Sequence, residues 1–432
     1  MDKSIKNANK KQKLNSYVGT KDFYGDDLNV LNYIFYVWKQ VARSFGYQEY
    51  VLPLVENATL FKKSGDDLGN KELYEFLDKG DRSIAIRPEA TPGVTRMVAS
   101  FYRQVSKPVR VFSVLNFMRY ERPQAGRMRE FWQFNVDMFG KNTVFSDIEI
   151  LLVVYKVFQF MQAPKNSFKI LVNSRKFMDD LLRVLLQEKF ENLKADVYRI
   201  IDKSTKLSQK DLKKMLSDLG VNTEAQNILS NLVNLSLADI LETLPELKDS
   251  NSIVRLKQLF ELLQDYEEIQ FAPYIVRGLD YYDDMVFEVF EATGKITRAL
   301  AGGGRYNSMG EFFGIKDMPA VGFGMGNYTL MDFVKAYSLV PKTWENTIKV
   351  YVPILVEDKQ LLLKYYKIVK DIENLAKIED VRNKQAKVVY ILGTDFESIT
   401  KSLRTANKIG AKYVILLAED ELKNNTITVK RL

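Results

Sequence analysis

The stretch Asn116 to Gly140, NFMRYERPQAGRMREFWQFNVDMFG, constrains the fold more than any other part of the chain. Two strand-like runs flank RPQAGRM, a cluster of turn formers, and the pattern predicts an antiparallel hairpin with a long basic loop. In the second run Trp132, Phe134, Val136 and Met138 share one face while Gln133, Asn135 and Asp137 share the other, as a two-residue period requires. Arg119 and Glu121 are expected to share a face of the incoming strand. Such a sheet could be the floor of a polar ligand site or simply a solvated face. The loop favours the first reading: Arg122, Arg127 and Arg129 stand beside Arg119, a concentration of charge that calls for an anionic partner.

What the chain lacks narrows its chemistry. Without cysteine there can be no disulfide, thiolate nucleophile or cysteine metal site. Without histidine there can be no Ser/His/Asp or Cys/His catalysis, and the commonest zinc ligand is missing. Catalysis must rest on arginine, carboxylates, amides, hydroxyls, backbone groups or the substrate itself. The net charge of +8 permits a nucleic-acid partner without demanding one, since a lysine-rich solvated surface gives the same sum. No apolar run approaches the ~20 residues of a membrane span, and a cytoplasmic protein with no membrane partner is expected. At 432 residues there is room for two or three domains.

In chain order, residues 1–16 are basic and aperiodic, which predicts a disordered tail or a loose RNA contact. From an N-cap at Asp26 or Asp27, Leu31, Ile34, Phe35, Trp38, Val41, Ala42 and Phe45 recur at helical spacing until Gly46. A strand over Tyr50 to Leu54, broken by Pro53, is expected next. In IAIRPEATPGVTRMVAS a strand ends at Arg87 and Pro88, and a helix begins near Thr91 or Pro92, leaving Glu89 in the turn either as a helix cap or as a ligand group. An apolar helix over Asp147 to Gln162 and a core strand over Phe168 to Val172 follow. Residues 175–265 then read as helical, with Leu212, Met215, Leu216 and Leu219 in register. IVRGLDYYDDMVFEVF sets Arg277, a glycine and the phenols Tyr281 and Tyr282 before an alternating strand. AGGGRYNSM and AVGFGMGNYTL follow, and from about residue 346 strands and helices alternate as in a small α/β unit.

Taken together, these peptides resemble the histidyl-tRNA synthetases, a family of class II aminoacyl-tRNA synthetases, over nearly the whole chain. The hairpin resembles motif 2 with its RPQ loop, RPEAT resembles the RPEGT segment, and RGLDYY and AGGGRY resemble two family peptides. The resemblance implies an α+β fold. A class II antiparallel sheet flanked by helices (17–174 and 266–338) would carry a helical insertion (175–265) and a C-terminal α/β anticodon-binding domain (345–432). It implies catalytic roles for Arg119 and Arg277. Glu89, Ala90, Thr91, Gln133, Asp137, Tyr281, Tyr282 and Tyr306 would bind histidine, and Arg119, Phe131 and Arg277 would bind ATP. Arg122 and Gln124 would read the tRNA end. ATP with Mg2+ is implied as a substrate, with tRNA(His) and histidine as partners, homodimer assembly, no bound cofactor and no protein-held metal.

Motif 3 departs from the family: Tyr328 and Thr329 stand where glutamate and arginine are usual. The usual arginine stacks on adenine and touches the γ-phosphate of ATP, contacts that threonine cannot make. A catalytically silent regulatory relative that binds histidine or tRNA is therefore the main alternative. A nucleic-acid-binding protein with no small-molecule site is a third.

Overall fold

The computed structural model describes residues 15–62, 71–276, 281–341, 344, 347–382 and 387–432. Arg277, the first fourteen residues and the remaining gaps lie outside these, so the expectations for Arg277 and for most of the N-terminal tail fall there. The chain divides into two compact units, residues 1–339 and 340–432.

In the larger unit the elements run in order α1 (Gly25–Ser44), β1 (Gln48–Glu49), β2 (Val55–Asn57), β3 (Tyr74–Leu77), β4 (Ser83–Ile86), α2 (Thr91–Phe101), β5 (Val109–Met118), β6 (Glu130–Phe139), α3 (Val144–Phe160) and β7 (Phe168–Ser174). Six helices follow: α4 (Arg175–Leu186), α5 (Phe190–Ile201), α6 (Gln209–Asp218), α7 (Thr223–Leu229), α8 (Leu237–Thr243) and α9 (Asn251–Leu262). The chain then returns to the sheet with β8 (Ile269–Phe271), β9 (Met285–Glu291), β10 (Ala301–Arg305) and β11 (Ala320–Gly326), and closes with α10 (Asn327–Ala336).

Among the described residues these strands form an eight-stranded sheet, β1-β5-β6-β11-β10-β9-β7-β8, antiparallel except for its two edge pairs. Alternation decides its two faces. Trp38 of α1 stacks on Phe134 at 5.5 Å, and Phe35 meets Trp132 at 5.1 Å, so the apolar stripe of β6 seals against that helix. Phe158 of α3 packs on Phe168 of β7 and on Phe333 of α10, completing the helical layer. Trp38 is fully buried, and its removal would cost ~3–5 kcal/mol.

Three expectations are corrected. Tyr24 is the N-cap of α1, and Asp26 and Asp27 sit in its first turn, where Asp27 pairs with Lys21 and Lys335. The segment 50–54 is not a strand: β1 joins the large sheet and β2 a separate three-stranded one, so the chain crosses between them around Pro53. Arg119 and Glu121 lie beyond the end of β5, though still within 3.9 Å of each other.

The helices from α4 to α9 share one apolar core that includes Phe177, Leu181, Leu216 and Leu256. They are tied to the sheet by a buried ion triad. Asp147 in the first turn of α3 receives Arg305 of β10 at 2.5 Å and Arg255 of α9 at 2.5 Å.

The smaller unit comprises β12 (Thr347–Ile354), α11 (Lys359–Arg382), β13 (Lys387–Phe396), α12 (Ile399–Lys408), β14 (Tyr413–Leu416), α13 (Glu419–Asn424) and β15 (Thr428–Arg431). Its sheet order is β13-β12-β14-β15, with β12 parallel to both neighbours. Tyr365 and Leu417 lie in its core.

Candidate active site

Opposite the helical layer, the sheet presents a face almost stripped of side chains. Gly302 pairs with Gly324 and Gly304 with Gly322, and paired residues of antiparallel strands project to the same side. Gly326 continues the row opposite Gln133. At three of these glycines a neighbouring side chain takes the vacancy, while the space at Gly326 stays open. A β-carbon at Gly322 would collide with the carboxylate of Asp137, one at Gly324 would meet the Gln133 amide at 2.7 Å, and one at Gly304 would meet the Tyr282 ring at 2.9 Å. The glycine triplet of AGGGRY is thus strand, and its lack of side chains is what admits the site residues.

Two carboxylates anchor this face, each held by a tyrosine. The Tyr281 hydroxyl donates to Glu89 Oε2 at 2.8 Å and stands 3.0 Å from Thr91 Oγ1. Ala90 is buried at the N-cap of α2, and Glu89 stands just before it, held by the Tyr281 hydroxyl. The Tyr306 hydroxyl donates to Asp137 Oδ1 at 2.5 Å, while Asp137 Oδ2 is buried with the Tyr50 hydroxyl as a neighbour. Burial, reinforced by the Glu89 charge, pushes the Asp137 carboxyl up to about 7 despite the Tyr306 hydrogen bond. Rings of Tyr281, Tyr282 and Tyr306 contact one another at 5.0 to 6.3 Å and join the two halves. Burial raises all three phenols, so they are neutral donors at physiological pH.

Beside this cluster opens a cavity of about 1120 Å³. Arg119, Phe131 and Gln133 line it, whereas Glu89, Thr91, Asp137 and the three tyrosines do not reach its wall. Arg119 donates to the Pro88 carbonyl at 3.0 Å and lies over the Phe131 ring, 5.1 Å from its centroid. A planar cation against a phenyl group, above a glycine floor, suits a flat heterocycle carrying phosphates.

The hairpin loop is less starved of anions than its arginines suggest. Arg127 pairs with Glu121 and, at 3.4 Å, with Glu72; Arg129 donates to the Glu121 carbonyl and stacks on Tyr120. Arg122 and Gln124 remain exposed at the tip, where Gln124 and Arg127 close a tight turn through Gly126 at φ +71°. Asn327, buried at the start of α10, accepts from the Trp132 amide at 2.9 Å and pins that helix to the hairpin. Among the described residues, no cluster of three or more acids could hold a metal.

Sequence reasoning missed Arg298. From the β9–β10 connection it reaches into the cavity and donates to Gln124 Oε1 at 2.7 Å. No periodicity marked it, because the contact spans 174 positions. The triad of Asp147, Arg255 and Arg305 was missed for the same reason.

An antiparallel sheet with this hairpin, flanking helices and an arginine laid on a phenyl ring defines a class II aminoacyl-tRNA synthetase core. Residues 19–330 match the family described as histidyl-tRNA synthetase. A histidine–tRNA ligase of Leptospira biflexa is 36% identical over 427 residues, covering 98% of this chain and 94% of that one. The chloroplastic/mitochondrial histidine–tRNA ligase of Arabidopsis thaliana is 32% identical, covering 98% and 84%. The crystal structure of histidyl-tRNA synthetase from Nostoc superposes with a TM-score of 0.74 at 19% identity, covering 98% and 95%, which speaks to the fold. The chain belongs to the histidyl-tRNA synthetase family.

Proposed function

We infer that this chain is a histidine–tRNA ligase: it joins histidine to ATP as histidyl-adenylate, releasing pyrophosphate, and passes the histidyl group to the terminal adenosine of tRNA(His). The single observation that carries the site reading is the pair of buried carboxylates, Glu89 and Asp137, each held by a tyrosine above a glycine floor. Two such acids suit a ligand with an ammonium at one end and an imidazole at the other.

Adenylate formation needs no protein base, because the attacking histidine carboxylate is already ionised at neutral pH. This fits a chain with no histidine of its own. The demands are in-line placement and charge neutralisation at the α-phosphate. Arg119 would neutralise that phosphate while Phe131 supports adenine, and Arg277 would bridge carboxylate and phosphate. Glu89, Thr91 and Gln133 would hold the α-amino group, with Ala90 closing the turn and Tyr281 fixing Glu89. Asp137 and Tyr282 would accept from and donate to the imidazole edge, and Tyr306 would orient Asp137. Magnesium would accompany ATP, held mainly through phosphate oxygens.

Arg122 and Gln124, exposed at the hairpin tip, would read the extra guanosine at the tRNA end. The proposed division of labour gives catalysis to 17–174 with 266–338, acceptor-end contact to 175–265 and anticodon contact to 345–432. Exposed Val51, Leu54 and Val55, in the segment resembling motif 1, support a homodimer. The cytoplasm, where ATP and tRNA meet, is the proposed compartment. The ligase relatives favour this reading over the silent regulatory one.

Charging of tRNA(His) transcripts with labelled histidine tests it. Arg122→Ala should weaken charging without altering adenylate formation. Preferential charging with another amino acid would rule the reading out.

A further inference from the structure

ATP carries most of its negative charge on the β- and γ-phosphates, and a triphosphate site must offer cations whose charge is not already spent. Five cations line the cavity: Lys169 of β7, Lys206 after α5, and the three guanidinium groups of Arg119, Arg127 and Arg298, the side chains suited to fork onto phosphate oxygens. Arg119 sits under the ring-stacking end, 3.9 Å from Glu121. The charge of Arg127 is matched by Glu121 and Glu72. Arg298 differs: its described partner is the neutral amide oxygen of Gln124, and among the described residues no carboxylate lies within ion-pair range of it. A guanidinium has five N–H donors, so this single bond leaves it able to take an anion.

Its surroundings point to the same ligand. The first turn of α10, Asn327 to Thr329, lines the cavity beside it, and that ten-residue helix has no side-chain cap at Gly326. Its leading amides are thus left uncapped from that position, and the positive end of its dipole stands at the cavity wall. Gly126 of the hairpin tip brings the two together. A methyl group built there would touch Thr329 Cγ2 at 3.2 Å and Arg298 Cδ at 3.3 Å, with Asp332 Oδ2 at 3.9 Å, so the three side chains converge on one glycine. Thr329 offers that corner a methyl and a hydroxyl but no charge.

We propose that Arg298, together with the first turn of α10, binds the terminal phosphates of ATP and supplies from the β9–β10 connection the cation that position 329 lacks. This rests on the ligase reading above. Arg298 contributes nothing to the adenine or the α-phosphate, which lie with Phe131 and Arg119. Its removal is therefore felt by ATP and not by AMP.

Titration of ATP and of AMP into the full-length protein, free of tRNA, tests this without requiring turnover. Wild type is expected to bind ATP more tightly than AMP. Arg298→Ala and the shorter, uncharged but still polar Arg298→Gln should each weaken ATP at least about tenfold, which is ~1.4 kcal/mol, and leave AMP within about twofold. A loss shared equally by both nucleotides, no loss for either, or a wild type that binds no ATP overturns the assignment. A wild type that binds ATP through Arg298 but exchanges no pyrophosphate overturns the ligase reading alone.

Discussion

Gly322 of β11 faces Asp137 of β6 across the sheet, and the Asp137 carboxylate occupies the space that a β-carbon at 322 would need. The glycine is thus as much a part of the proposed histidine site as the acid. Gly322→Ala should force the carboxylate aside and raise the KM for histidine at least about tenfold, with an overpacking cost of ~1–3 kcal/mol in stability. Histidine titration and thermal unfolding of the variant measure both effects. Unchanged histidine affinity would contradict this placement.

Asp137 also predicts a pH dependence. Its folded carboxyl titrates at about 7, against ~3.9 for an unfolded aspartate. Between these values the native state holds a proton that the unfolded state has lost, so stability of the free protein falls as pH rises through this window and levels off above it. Asp137→Asn removes the titration and should flatten this part of the profile. Urea unfolding across the window provides the comparison, and parallel profiles for both proteins would refute the prediction.

Tyr281→Phe deletes the hydroxyl that donates to Glu89. A buried carboxylate losing a donor costs ~1–3 kcal/mol, so the variant should be less stable by about that much. Its KM for histidine should rise more than that for ATP, because the hydroxyl holds Glu89 and does not reach the cavity that Arg119 and Phe131 line. Steady-state kinetics with each substrate varied in turn would reveal the split.

Arg305 is fully buried on Asp147, whereas the Arg255 side chain keeps 23% of its surface exposed. Arg305→Met leaves a buried carboxylate half-compensated and should cost ~3–5 kcal/mol. Arg255→Met should cost less, since water can reach Asp147 from that side. Urea midpoints of the two variants rank the effects; the reverse order would mean that the triad is held chiefly from α9.

Local pattern carried much of the fold. The two-residue alternation of β6 displayed Gln133, Asn135 and Asp137 on one face, helical spacing marked α1, and Thr91 and Pro92 marked the start of α2. Short-range chemistry was legible wherever a motif compressed it, as in Glu89 with Thr91 or Tyr281 with Tyr282. The strand expected at 50–54 failed because β-propensity says nothing about which sheet a segment joins, and here the neighbouring strands join different ones. Arg119 and Glu121 left their strand because the loop takes over after Met118. Arg298 and the Asp147 triad could not be read at all: each depends on side chains meeting from distant elements, and a single chain carries no periodic trace of such meetings.

The central claim, that this chain makes histidyl-adenylate on the glycine-floored face beside Arg119, is tested most directly by histidine-dependent exchange of labelled pyrophosphate into ATP. The full-length protein should catalyse exchange with histidine and not with other amino acids, and Arg119→Ala should lower it by at least about a hundredfold, in line with the ~2.7–4 kcal/mol of a lost transition-state donor. Absence of exchange in a protein that still binds histidine, or full exchange in Arg119→Ala, would contradict the account.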